Sequence, residues 1–220
     1  METNKAIIFI IIVASIAATA RAEKLFKVED IPQYISNLKE GDFALKADAV
    51  LSLSKMGKPA LPMLLETLND KDDFVRIGAV LALGELGSRE KIMIPELMQA
   101  LNDKNNFVRW AAAEGFAGIG SAAKDAVPQL IQALKDRSEI VRWAAAEALG
   151  DIGTDTKASV PALIGTLKDN NRTVRENACE SLGEIGDSSA LGVLNDTAKN
   201  DREESVRKAA EMAVQILNKR

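Results

Sequence analysis

The chain has no histidine and a single cysteine, Cys179, among its 220 residues. Without an imidazole, no Ser-His-Asp triad, Cys-His pair, His-based zinc site or two-His iron site can be assembled. A lone thiol cannot close a disulfide within the chain. Aromatic residues make up only 4%, with one tyrosine and two tryptophans. Basic residues are not in excess either: 28 Lys and Arg stand against 32 Asp and Glu, for a net charge of −4. This argues against a nucleic-acid partner, because such binders carry a basic stripe. What remains is 47% hydrophobic, too apolar for a disordered chain. Ala, Leu, Ile and Glu abound, and they suit helices.

The N-terminal stretch "METNKAIIFIIIVASIAATARAEKLF" stands apart. One Lys precedes fifteen uncharged residues, Ala6 to Ala20, and Ala18-x-Ala20 and Ala20-x-Ala22 follow as small-residue cleavage sites. That is the layout of a secretory signal peptide. The uncharged run falls short of the roughly 20 residues that span a bilayer. The expected division is a signal peptide over 1–22 and a mature domain over 23–220, exported to a periplasm or secreted. The alternative is an uncleaved segment that tethers the domain to a membrane. One cysteine fits a periplasm better than a disulfide-rich exterior.

The rest of the chain is periodic. Val-Arg pairs stand at Val75-Arg76, Val108-Arg109, Val141-Arg142, Val174-Arg175 and Val206-Arg207, spaced by 33, 33, 33 and 32 residues. Prolines at Pro62, Pro95, Pro128 and Pro161 keep the same period. Pro32 with Leu45-Lys46 marks a degenerate first copy. Six units result, at about 31–57, 61–87, 94–120, 127–153, 160–186 and 190–219. Each predicts two helices. The first opens with Pro, tolerated there because its missing N–H had no partner at a helix start. It carries an apolar stripe such as Leu130, Ile131 and Leu134. The second follows Val-Arg, is rich in Ala, and ends at Gly87, Gly120, Gly153 or Gly186, residues suited to a left-handed turn after a helix.

The segments "DDFVRIGAVLALGELG", "NNFVRWAAAEGFAGIG", "SEIVRWAAAEALGDIG" and "NRTVRENACESLGEIG", each after a Pro-led helix, resemble HEAT repeats of the HEAT-like subfamily first associated with phycobilisome lyases. The resemblance covers about residues 31–217 and implies an all-α, right-handed α-solenoid of about six helix pairs. The end units depart from the pattern, as capping units do. The resemblance also implies a structural role for Arg76, Arg109, Arg142, Arg175 and Arg207. Each follows an aspartate by six residues: Asp70, Asp103, Asp136, Asp169 and Asp201. In HEAT-like repeats such residues tie adjacent turns together, a reading preferred to a polyanion-binding ladder. As exposed pairs they would contribute about 0.2–1 kcal/mol each. Cys179 matches Ala113 and Ala146 of other units, so a small buried site is expected rather than a reactive thiol.

Variable positions recur on the second helix at a spacing of four, which puts them on one face. The first is Ala47, Ile77, Trp110, Trp143, Glu176 and Lys208; the second is Leu51, Leu81, Glu114, Glu147, Glu180 and Met212. The third includes Glu85, Gly118, Asp151 and Glu184. The resemblance places this face on the concave side, where partners bind. Trp110 and Trp143, with Phe107 and Ile140 before their Val-Arg pairs, form an aromatic centre. Ile77 and Leu81 flank it on one side. Glu114, Glu147 and Glu180 run beside it. An apolar centre edged with charge is how protein-binding hot spots look, and carboxylates beside Trp suit a cation. The expectation is a groove for another protein, through a segment carrying Lys or Arg and an apolar residue. The competing reading has the tryptophans packing between units and the acids forming a solvated helix face.

The expected function is therefore an exported, monomeric, non-enzymatic scaffold with no catalytic residues, cofactor or metal. Family analogy offers two enzymes instead, bilin lyases and deoxyhypusine hydroxylase. The hydroxylase uses His-Glu metal ligands, which a chain without His cannot supply, and the lyases act inside the cell, against the signal segment. A carboxylate-only site from Glu147, Asp151 and Glu184 would suit Ca²⁺ or Mg²⁺, but no Ca²⁺-loop spacing occurs.

Overall fold

The computed structural model describes residues 27–90 and 93–219. The expected signal segment, 1–22, lies outside the described residues. Among them are twelve α-helices and no strand. They form six successive pairs: α1 (Ile31–Glu40) with α2 (Phe43–Met56), α3 (Leu61–Thr67) with α4 (Asp73–Glu90), α5 (Ile94–Ala100) with α6 (Asn106–Ile119), α7 (Val127–Ala133) with α8 (Glu139–Ile152), α9 (Val160–Thr166) with α10 (Arg172–Ile185), and α11 (Leu191–Asn200) with α12 (Glu204–Leu217). The six units read from the sequence are these pairs, stacked as an α-solenoid.

Local chemistry sets the boundaries. Pro sits in the first turn of α1, α3, α5, α7 and α9. Asn105 and Asn171 cap α6 and α10 by accepting amide protons from Phe107 and Thr173, which satisfies donors that have no partner inside the helix. Gly120, Gly153 and Gly186 take positive φ after the second helices, as expected. Gly87 does not. The helix runs through it to Glu90, and the positive φ falls on Met93 instead (80°). The following residues, "SRE", include good helix formers, so the helix continues past the glycine.

The second helices pack on one another along the whole stack: α4 on α6, α6 on α8, α8 on α10, α10 on α12. Small residues let them approach. A Cβ added at Gly84 would sit 2.9 Å from Cα of Gly115, one at Gly150 would sit 2.9 Å from Cα of Ser181, and one at Gly183 would sit 3.0 Å from Cα of Ala213. The Ser181 hydroxyl also donates across the interface to the Ala146 carbonyl (2.7 Å). The second helices therefore form one continuous packed layer along the stack.

The Asp-Arg ladder ties adjacent units, as the resemblance implied, and two details go beyond that expectation. Arg76, Arg109, Arg142 and Arg175 each pair with the ladder aspartate of the next unit rather than the one six residues earlier. Arg109 Nε and Nη2 donate to Asp136 Oδ2 and Oδ1, both at 2.7 Å. Arg76 meets Asp103, Arg142 meets Asp169, and Arg175 meets Asp201 in the same forked way. The unit's own aspartate offers its backbone carbonyl, as Asp103 does to Arg109 Nη1 (2.9 Å). Each aspartate also holds its own turn, accepting the amide two residues on; Asp136 takes that of Ser138 (2.8 Å). One carboxylate thus fixes a turn and the arginine of the unit before it. Secondly, the pairs are not exposed. Side-chain exposure is 7% for Arg109 and 14% for Asp136, so the energetics of surface pairs do not apply. At the ends the ladder thins. Lys46 replaces the first arginine and donates to the Leu38 and Lys39 carbonyls (2.7 and 3.1 Å). Arg207 donates to the Asp201 carbonyl.

Candidate functional site

The variable positions divide by depth. At the first position Ile77 is 1% exposed and Trp110 8%, both part of the core, while Trp143 is half-buried. Phe107 is buried, and Ile140 and Leu81 are half-buried against the core. Ile77, Phe107 and Trp110 are therefore packed between stacked helices and offer little to a partner, since a spacing of four marks one helix side but not whether a neighbour covers it. Trp143, Leu81 and Ile140 keep accessible surface. The two tryptophans should separate on mutation. Trp110→Ala should cost about 3–5 kcal/mol, as for a core aromatic, and Trp143→Ala no more than about 2 kcal/mol. Circular-dichroism unfolding in urea reads both; equal costs would make Trp143 a core residue too.

The second position carries the charge. Glu114 and Glu147 are half-buried, and Glu180 is exposed. With Asp151 and Glu184 they form an acidic surface across α6, α8 and α10. Burial pushes the Glu114 carboxyl up to about 7, helped by the charges of Glu147 and Asp151 and opposed by a hydrogen bond from Trp110. Burial also raises Glu147, with Asp151 and Glu180 adding to it. Asp151 is raised by burial. Glu180 is raised by burial and Glu176, and Glu184 by burial and then Asp151, Glu180 and Glu147. Among the described residues, Glu114, Glu147, Asp151 and Glu180 make no ion pair. One carboxylate oxygen of Glu114, Oε1, is enclosed and has no hydrogen-bond partner. The carboxylates spread along three helices; among the described residues no three His, Cys, Asp or Glu are gathered to hold one metal ion. Cys179 is buried, and burial, with Asp201 and Glu180 adding to it, pushes its thiol up to about 12. Such a thiol carries almost no thiolate at neutral pH.

Two features of the variable face show their character only in the structure. Met212 (51% exposed) and Ile216 (39% exposed) lie open on α12, so the acidic centre is followed by an apolar end. A cavity also opens beside Glu114, where Gly118 stands at a position occupied by Glu85, Asp151 and Glu184 in other units. The missing side chain at Gly118 was the visible signal.

The profile of the HEAT-repeat family matches residues 31–105, 94–159 and 127–215. The chain belongs to the HEAT-repeat family. No curated protein sequence matches this HEAT-repeat chain. Among solved structures, an engineered protein aligns with a TM-score of 0.65 at 20% identity, covering 86% of this chain and 97% of its own. A designed armadillo repeat protein aligns with a TM-score of 0.65 at 22% identity, covering 86% and 100%. The complex of CpcE and CpcF of phycocyanin lyase from Nostoc sp. aligns with a TM-score of 0.47 at 20% identity, covering 85% and 99%. At such identities the likeness is one of fold.

Proposed function

We propose that this HEAT-repeat protein is an exported, monomeric, non-enzymatic scaffold that binds another protein on the face of its second helices, through a segment carrying basic and apolar side chains. The observation that carries the reading is the row of carboxyls at Glu114, Glu147, Asp151 and Glu180, all raised chiefly by burial, Glu114 and Glu147 also by their neighbours in the row, with no ion pair among the described residues. Like charges crowded on one face cost folding free energy, and proteins keep such costs where binding or catalysis uses them. A basic partner relieves the repulsion. Trp143 beside the acids, and Met212 and Ile216 beyond them, supply the apolar contacts. The designed armadillo repeat protein of similar fold was solved in complex with the peptide (KR)4, which lends support to a basic segment. Export rests on the Ala6–Ala20 run and the Ala-x-Ala sites that follow.

Calorimetric titration of residues 23–220 with the octapeptide (KR)4 at low salt tests the binding. Saturable binding is expected. It should weaken at least tenfold when Glu114, Glu147, Glu180 and Glu184 become Gln, and again as salt rises. An affinity indifferent to the four amides sinks the reading. The intact mass of the protein recovered from the producing cell tests export: a mass that retains residues 1–22 argues for the membrane-tethered alternative.

A further inference from the structure

A cavity of about 220 Å³ lies between α4 and α6 on the same face. Its floor is main chain. Gly84 and Gly115 bring the two helices nearly into contact, and Ala111 adds only a methyl group. Gly118 leaves one side open: a Cβ there would meet only the Ser88 Cβ, at 3.6 Å. Leu81 gives an apolar wall. The polar side chains lining the space are Glu114, Glu85 and Ser88. Ser88 has already committed its hydroxyl proton to the Glu85 carbonyl (2.8 Å), so its oxygen is left as an acceptor. The enclosed, unpartnered Oε1 belongs to Glu114. The lining therefore offers acceptors and negative charge beside the apolar surface of Leu81, Ala111 and the glycines.

We infer that this cavity receives one lysine side chain of the bound partner, its methylene stem against Leu81 and the glycine backbone and its ammonium on Glu114 and Ser88. An ammonium has three donors and no acceptor, and it is compact where a guanidinium needs a flat, forked site. Lysine stems cover apolar surface readily while the head finds its charge partner. The inference rests on the proposed binding of a basic segment and names where one of its side chains goes. It also gives Glu114 a proton to lose. The charged groups facing it are Glu85 from α4 and Glu147 and Asp151 from α8, with the Trp110 indole on its own helix. None of these is a cation, so a bound ammonium shifts Glu114 towards its ionised form and releases a proton.

The test is Gly118→Leu, titrated with the octapeptide (KR)4. Space at Gly118 admits a side chain, and its backbone is not in the positive-φ region, so the variant should melt no lower than the wild type. It should bind the octapeptide at least tenfold more weakly, with the cavity filled and every charge kept. Glu114→Gln serves as the second variant: it should weaken binding at pH 8 and abolish the rise in affinity that the wild type shows between pH 6 and pH 8. Gly118→Leu binding as tightly as the wild type, or a Glu114→Gln variant with the wild-type pH dependence, overturns the lysine cavity while leaving the acidic face intact. A wild type that ignores the octapeptide overturns the face reading and this inference with it.

Discussion

Arg109→Ala should lower the free energy of unfolding by about 3–5 kcal/mol, the range for removing one partner of a buried ion pair. The arginine donates two bonds to Asp136, one to the Asp103 carbonyl and one to the Lys104 carbonyl. Its removal leaves the Asp136 carboxylate shielded from water with the Ser138 amide alone to hold it. Burial is the largest single influence on the Asp136 carboxyl and would raise it, but the Arg109 hydrogen bond, the Ser138 amide and the charges of Arg109 and Arg137 together outweigh it and hold the carboxyl below its usual range. The loss falls on the interface between units, and a solenoid's stability is a sum of unit and interface contributions. The effect should be graded. Arg142 is more exposed than Arg109, at 17% against 7%, and should cost less. Arg207 has no following unit to hold and should cost least. Urea unfolding of the three alanine variants measures the series. An Arg207→Ala variant as unstable as Arg109→Ala would show that the ladder does not act between units.

Glu114→Gln should act in the opposite direction, and only at high pH. The folded protein raises this carboxyl from 4.5 to about 7, so the folded state holds a proton that the unfolded chain has released. Its stabilising contribution is complete below about pH 4.5 and is lost as pH rises through 7. An ionised Glu114 at pH 8 thus costs about 3 kcal/mol relative to its protonated form, an upper figure for a half-buried group. The amide keeps the shape without the charge. Denaturation midpoints should therefore rise for Glu114→Gln at pH 8 and coincide with the wild type at pH 5. The ladder sets the acid limit. Burial is the largest single influence on Asp73, Asp136, Asp169 and Asp201 and pushes each up, yet side-chain and backbone hydrogen bonds together with the neighbouring cationic charges outweigh it and hold all four below their usual range. Their contribution is present above about pH 4 and fails as pH falls through the folded values. The wild type should be most stable near pH 4 to 5 and weaker at 8. A variant stabilised equally at pH 5 and pH 8 would mean that Glu114 is not the group responsible.

The helix pairs were legible because one rule repeats: Pro opens, Val-Arg restarts, and the period of 33 carries the register. The exception at Gly87 was hidden because a glycine permits a left-handed turn without compelling one. The ladder partner was hidden for a different reason. An aspartate six residues back and one 27 residues ahead recur with the same period, and only stacking brings the second alongside. Depth on the variable face was also beyond the pattern. Ile77, Trp110 and Trp143 share a position, yet the first two are enclosed by the stack and the third is not. The acids were readable as a row; that burial raises them, and that Glu147 and Asp151 add to it at Glu114, depends on how closely α6, α8 and α10 lie. Between α8 and α10 that spacing depends on Gly150, which reads as an ordinary small residue.

The measurement that bears most directly on the account is an NMR titration of ¹⁵N-labelled residues 23–220 with the octapeptide (KR)4. Amide shifts should concentrate on α6, α8 and α10, around Glu114, Glu147, Asp151 and Glu180, with the Trp143 indole signal moving and the first helices of each unit unchanged. Shifts centred on α3, α5, α7 or α9, or none at saturating peptide, would contradict it.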